Sequence, residues 1–263
     1  MNKNFSRKYL GIPYFIFLLI FVLLPLIVIL YYAFTNGEGR FTLSNLTGFF
    51  TDPNTLGTLL YSFCLAIATT FLCLILAYPV SYILATSNWK FKSVIVMIFV
   101  MPMWINFTLR ITALKEILTV IEGNLAYHPF VNSIIGMTYD FLPFMILPIY
   151  TTLSKLDKSL LEAAADLGAG KRQSFYRVTL PLSMPGIVSG ISMVFLPAMT
   201  NYVVLDMVYN STYIMGSLIG SYFSAYDWHN GSMIALVLLI IICLFTLFTN
   251  GEEETNVRGG SLV

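Results

Sequence analysis

Gly168-Ala169-Gly170-Lys171-Arg172 is the one run in the chain that looks like a phosphate-binding loop. That chemistry needs a glycine five positions before the glycine of the Gly-Lys pair, and a Ser or Thr after the lysine to hold Mg²⁺. Ala165 and Arg172 occupy those places, so the chain is not expected to bind ATP. Cys64, Cys73 and Cys243 lie inside apolar runs with no ligand or redox spacing, and read as small apolar filler. His128 and His229 stand alone in loop-like stretches and read as surface histidines, so no metal site is expected. No paired catalytic motif is present. What remains are three ionisable groups within or at the edge of apolar runs: Arg110, Asp140 and Asp206. Charge in lipid is expensive, so such groups are functional candidates by default.

The elements that must position these groups follow from composition. Of 263 residues, 57% are hydrophobic and only 10% are charged, with a mean hydropathy of +0.80. A soluble domain carries about 25% charged residues. A net charge of +1 gives no argument for nucleic acid. A membrane span takes roughly 20 apolar residues, and six stretches qualify: 12–34, 58–84, 93–113, 132–153, 184–208 and 231–249. The chain therefore reads as an all-α polytopic membrane protein with six transmembrane helices. The first run is too long for a signal-peptide core and no cleavage site follows it, so an uncleaved helix is expected. If residues 1–11 lie inside, the inner segments 1–11, 85–92, 154–183 and 250–263 hold eleven of the fourteen Lys and Arg residues, against Arg40 and Lys115 in the outer loops. That bias places both termini and the loop 154–183 in the cytoplasm. The tail is expected to be unstructured.

The loop 154–183 reads as a hairpin of two short helices. Leu160, Leu161, Ala164 and Leu167 repeat at helical spacing. Ser159 with Glu162 three residues later fits a capping box, and Gly168 fits a left-handed helix stop. A second helix over 171–178 is expected to end before Pro181. Ala163, Ala164 and Ala165 would allow another surface to come close.

The spacing of Glu162-Ala163-Ala164, Gly168, Val178 and Leu180-Pro181 resembles the signature loop of permease subunits of bacterial ABC importers, with Val178 where that family usually has Ile. The resemblance implies an ABC transmembrane type-1, methionine-importer-like fold over 58–249. It makes Glu162, Ala163, Ala164, Gly168, Leu180 and Pro181 the part that docks on an ATPase, with ATP and Mg²⁺ used by that partner. The runs 178–190, 194–199, 140–148 and 102–106, and the acidic tail, are similar to spermidine/putrescine permease subunits, nearest the B type. The implied partners are two ATPase copies, a second permease subunit and an extracellular or periplasmic binding protein, all at a bacterial cytoplasmic (inner) membrane.

A polyamine path needs carboxylates and aromatic faces, because bare ammonium groups are costly in lipid. Trp104, Asp140, Tyr202 and Asp206 are the candidates for an outer vestibule. Three readings stay open beside this one: Asp140 pairs with Arg110, Asp206 is an exposed interfacial carboxylate, and the two aromatics only pack or form a belt. Gly186 and Gly190 form a small-residue pair suited to close helix packing, including against a partner permease. Another cargo (sulfate, iron, phosphate or an organic cation) and an ion-driven secondary transporter are the rival functions. The latter has no use for the hairpin.

Overall fold

The computed structural model describes residues 11–87, 89–208 and 212–259. The expected N-terminal segment, save Gly11, lies outside the described residues, as do Tyr209 and residues 260–263 of the tail. In chain order the helices are α1 (Gly11–Ala33), α2 (Ser44–Thr51), α3 (Pro53–Thr86), α4 (Lys92–Val100), α5 (Phe107–Glu122), α6 (Pro129–Ser154), α7 (Lys158–Asp166), α8 (Lys171–Ala198), α9 (Tyr202–Val208), α10 (Met215–Ser224) and α11 (Trp228–Gly259). Five of these are long and apolar enough to cross a membrane, or six if a bent pair counts as one.

Two compact units divide the chain. The first comprises residues 1–58 and 217–241. Within it α1 leaves every described residue before Ala33 unburied, which suits a helix whose solvent is lipid. Its end is tied down by polar contacts. Asn45 donates from its amide to the carbonyls of Ala33 (2.9 Å) and Thr35 (3.0 Å). His229, expected as an isolated surface residue, instead donates to the Tyr32 carbonyl at 3.1 Å. Asp52 accepts from the backbone of Asn54 and Thr55 and from the Thr55 hydroxyl, so α3 starts at Pro53 and not near Thr58. An N-cap aspartate followed by proline at the first helical position is a start signal that the apolar count alone does not register.

The second unit comprises residues 59–216 and 242–263 and is built on the packing of α6 against α8. Met137, Met145, Ile146, Ile149, Val194 and Phe195 fill its interior. Gly186 and Gly190 face α6. A methyl group at Gly186 would sit 2.5 Å from the Thr152 hydroxyl and 2.8 Å from the Pro148 carbonyl, and one at Gly190 would sit 2.6 Å from the Met145 sulfur. The expected small-residue contact is real, and it is made within this chain. Helix α3 joins the same core through Ser81, which donates to the Ile146 carbonyl at 3.2 Å, and through Tyr78, whose hydroxyl lies 3.1 Å from that of Ser183.

Two further spans and the tail are redrawn. The stretch 93–113 is not one straight helix: α4 runs into a 3₁₀ turn over Met101–Trp104, and α5 leaves at 99° to it. Pro102 sits in the turn, Ile105 is extended, and Asn106 caps α5 by accepting from the backbone of Leu109. The expected fifth span, 184–208, instead begins at Lys171 and ends at Ala198. Pro181 does not stop it: a π turn over Phe175–Thr179 lies inside α8 just before the proline, and a local widening of this kind lets a helix continue past a residue that lacks an N–H. The Pro197 carbonyl then accepts from Thr200 and Asn201, closing the helix before α9. At the other end, α11 continues to Gly259, so the tail expected to be unstructured is helical through that residue.

The glycine contact yields a stability prediction. Gly186→Ala should destabilise the solubilised chain by about 1–3 kcal/mol through overpacking. Gly220→Ala, where an added methyl meets nothing within 4 Å, should not. Thermal unfolding in detergent reads both, and equal midpoints for the two variants would contradict the close contact.

Candidate functional site

The hairpin starts with a cap one turn's fraction earlier than expected. Asp157, not Ser159, is the N-cap of α7, and its carboxylate accepts from the Ser159 backbone at 2.9 Å. Both residue types cap well, and they stand two positions apart, so spacing alone does not choose between them. The hydrogen bond holds the Asp157 carboxyl below its ordinary value. Its contribution to α7 is therefore present above the usual carboxylate range and is lost as pH falls through the depressed value.

At the other end Gly168 has φ +82°, as expected for a left-handed stop. The Ala169 N–H donates to the Ala164 carbonyl and the Gly168 N–H to that of Ala165, both at 2.9 Å. This paired closure satisfies carbonyls that the end of α7 would otherwise leave open. Gly170 then extends and caps α8. No residue of α7 is buried. Leu160 is 46% exposed and Leu167, the residue after the helix, 89% exposed, while Leu161 is half-buried, so the apolar face of α7 is only partly covered. Ala163 is exposed beside them and Ala164 half-buried.

Glu162 is exposed and lines a cleft of about 310 Å³ with Lys92, Leu153, Lys158, Leu161 and Thr179. The carboxylate thus shares its cleft with two cations, one on α7 and one at the start of α4. Leu180 and Pro181 are not part of the turn. They lie in the first turn of the α-helical part of α8, so the hairpin runs without interruption into a membrane-length helix.

The four residues expected to form a vestibule are not alike in the structure. Trp104 is 75% exposed in the 3₁₀ turn before the break. Tyr202 and Asp206, four residues apart on α9, are exposed on the side opposite Val204, Leu205 and Val208, which pack inward. Asp140 is 4% exposed and turned into the core. Its Oδ1 accepts from Arg110 Nη2 at 2.6 Å, joining α5 to α6. The paired reading of Asp140 is the one the geometry adopts, and Asp140 is withdrawn from the open set. The pair is incomplete, since Arg110 Nε and Nη1 and the Thr138 hydroxyl are buried without a hydrogen-bond partner among the described residues.

One cluster escaped the sequence reading. Glu122 takes His128 Nδ1 at 2.6 Å on one oxygen and the Asn132 amide at 2.7 Å on the other, tying the end of α5 to the start of α6. His128 is therefore not isolated. Only the turn over 123–128 brings these residues together, and their spacing in sequence carries no such signal. No group of three or more His, Cys, Asp or Glu residues suited to a metal occurs among the described residues.

Known proteins place this geometry. Residues 5–251 match the model of a family described as binding-protein-dependent transport system inner membrane component. The chain is 34% identical over 252 residues to the spermidine/putrescine transport system permease protein PotB of Escherichia coli (strain K12), covering 88% of this chain and 91% of that protein. A chain of a bacterial alginate ABC transporter, solved with a periplasmic protein carrying an alginate pentasaccharide, superposes with a TM-score of 0.73 at 14% identity, covering 93% of this chain and 92% of that one. A chain of the MetNI methionine ABC transporter, in inward-facing conformations, superposes with a TM-score of 0.60 at 18% identity, covering 78% of this chain and 99% of its own.

The buried pair makes its own prediction. Asp140→Ala strands the Arg110 guanidinium in the core and should cost about 3–5 kcal/mol. Removing both charges, with Arg110→Met and Asp140→Leu, should recover most of that loss. Unfolding midpoints of the solubilised variants decide the matter; a single variant that melts with the wild type would show that the pair holds nothing.

Proposed function

From the premise that the chain belongs to the family of binding-protein-dependent transport system inner membrane components, we propose that it works as the polyamine-translocating permease of an ATP-driven importer. It is a multi-pass membrane protein with the all-α type-1 fold of ABC permeases. Spermidine and putrescine are the cargo named by the curated relative it matches over most of its length. The observation that carries the reading is α7, a well-capped helix with no buried residue and with Leu160 of its apolar face left exposed.

The mechanism has four parts. An ATPase binds and hydrolyses ATP with Mg²⁺, and this chain supplies the docking handle. Glu162, Ala163 and Ala164 sit on the docking helix, Gly168 sets its end, and Leu180 and Pro181 pass it into α8. Two ATPase copies and a second permease subunit complete the assembly, so that two hairpins are moved together. A binding protein outside the cell delivers cargo to the outer side, where Tyr202 and Asp206 share an exposed helix face and Trp104 is exposed in its own turn. There an ammonium group would meet a carboxylate and aromatic rings in place of water. Both termini and the hairpin lie on the cytoplasmic side of a bacterial membrane, as the Lys and Arg distribution favours.

Coupling is a free energy shared between sites, and each ligand can shift the other only through a connecting element. Here that element is the hairpin. Gly168→Val places a β-branched residue at a positive φ, which is strained whatever the space around it. Uptake of labelled spermidine in proteoliposomes should fall at least about tenfold for Gly168→Val, with the permease still inserted; a loss of about 1.4 kcal/mol in coupling is enough. Glu162→Lys should behave in the same way. Normal uptake in both variants would overturn the docking role. Asp206→Asn should raise the spermidine concentration for half-maximal uptake several-fold, on the order of 1 kcal/mol for an exposed ion pair, while leaving assembly intact. Unchanged uptake kinetics would remove Asp206 from the path.

A further inference from the structure

A second groove lies beside the hairpin and is distinct from the cleft of Glu162. It measures about 470 Å³ and is lined by Tyr82, Lys171, Arg172, Phe175 and Tyr176. Its walls are aromatic and interlocked. The Tyr82 and Phe175 rings meet edge to face at 5.4 Å, and those of Phe175 and Tyr176 at 5.2 Å. Its charges are of one sign. No acid lines it, and among the described residues no carboxylate pairs with Lys171 or Arg172. The hydroxyls of Tyr82 and Tyr176 take part in no hydrogen bond among the described residues, and Tyr176 is 65% exposed.

The position of the groove says what would fill it. Tyr82 stands one turn before the end of α3 at Thr86, and Phe175 and Tyr176 stand one turn after the start of α8. Both helices are long and apolar enough to cross a membrane. The groove is thus at the level where two spans leave the hydrocarbon, the level at which tyrosine and basic side chains settle. A ligand here would present an anion to Lys171 and Arg172, hydroxyl acceptors to the tyrosines, and an apolar body to the rings of Phe175 and Tyr176. A phospholipid with an anionic headgroup has all three. We propose that this groove binds the phosphate of an anionic phospholipid of the cytoplasmic leaflet. The inference rests on the orientation proposed above, in which the hairpin faces the cytoplasm. The lipid would brace the first turns of α8, the helix that carries the hairpin into the membrane. An acidic surface of the ATPase is the rival occupant. The groove favours lipid because its rings belong to the two spans and not to α7.

The test uses the assembled transporter, released from nanodiscs of phosphatidylcholine mixed with phosphatidylglycerol and analysed by native mass spectrometry. Wild type should retain phosphatidylglycerol in preference to phosphatidylcholine. The double variant Lys171→Gln with Arg172→Gln should retain about thirtyfold less, given what each basic residue contributes beside an anionic surface. Arg172→Lys should keep most of the binding, and Arg40→Gln, far along the chain from the groove, should keep all of it. Subunit stoichiometry should not change in any of them. Equal retention of the two lipids, or no loss in the double variant, would overturn the proposal. Loss of the ATPase from the double variant with lipid retention intact would assign the groove to a protein contact instead. Displacement of phosphatidylglycerol by inorganic phosphate would assign it to a free anion. Retention is read without any transport, so a chain that carries some other cargo would still show it.

Discussion

The contact on which the rest of the structure depends is the close approach of α6 and α8 at Gly186 and Gly190. No side chain fits between the backbones there, since even a methyl at Gly186 would collide with the Pro148 carbonyl. The same two helices are joined in sequence by the hairpin: α6 ends at Ser154, α7 follows, and α8 begins at Lys171 without a further break until Ala198. A hairpin held at both ends by two helices that cannot slide past one another is a lever with a fixed root. Interiors packed to this density move as units rather than deform continuously, which supports the proposal that a push on α7 moves α6 and α8 together.

Around this pair the chain breaks where polar groups can be satisfied. Lipid offers no hydrogen bonds, so irregular backbone is tolerated only where protein or a cavity completes it. At the bend between α4 and α5 the Asn106 side chain takes the Leu109 N–H, and at the end of α8 the Pro197 carbonyl takes two N–H groups. Arg110 lies one turn beyond the first break and binds α5 to α6 through Asp140. Its remaining donors are buried and open, which makes the pair a weak source of stability but a strong constraint on how α5 sits, because losing one partner would strand the other.

The sequence is informative where composition or spacing must change and uninformative where it need not. Apolar runs reveal most of the membrane-length helices, and Gly168 reveals the end of α7 because few other residues accept its φ. The 99° bend was hidden because 93–113 stays apolar through it; Asn106 reads as a mid-span polar residue until its capping bond is seen. Pro181 misled in the opposite sense. Proline usually ends a helix from within, but a π turn just before this one lets α8 continue past it, and the spacing of residues carries no sign of that turn. Asp140 was legible as a pair or as a path residue, and geometry alone selects the pair. Tyr202 and Asp206, expected near the end of the fifth span, are exposed together on a short helix of their own and not on the end of α8.

The central proposal is that α7 transmits ATP-derived work to the α6–α8 pair through the short link at Gly168–Gly170. The most direct test is the number of spermidine molecules imported per ATP hydrolysed in proteoliposomes, compared between wild type and a chain with two extra glycines inserted after Gly170. The insertion keeps the docking face of α7 and slackens its joint to α8. The account predicts that the ATPase still co-purifies and still hydrolyses ATP, while import per ATP collapses. Import per ATP equal to that of the wild type would contradict it.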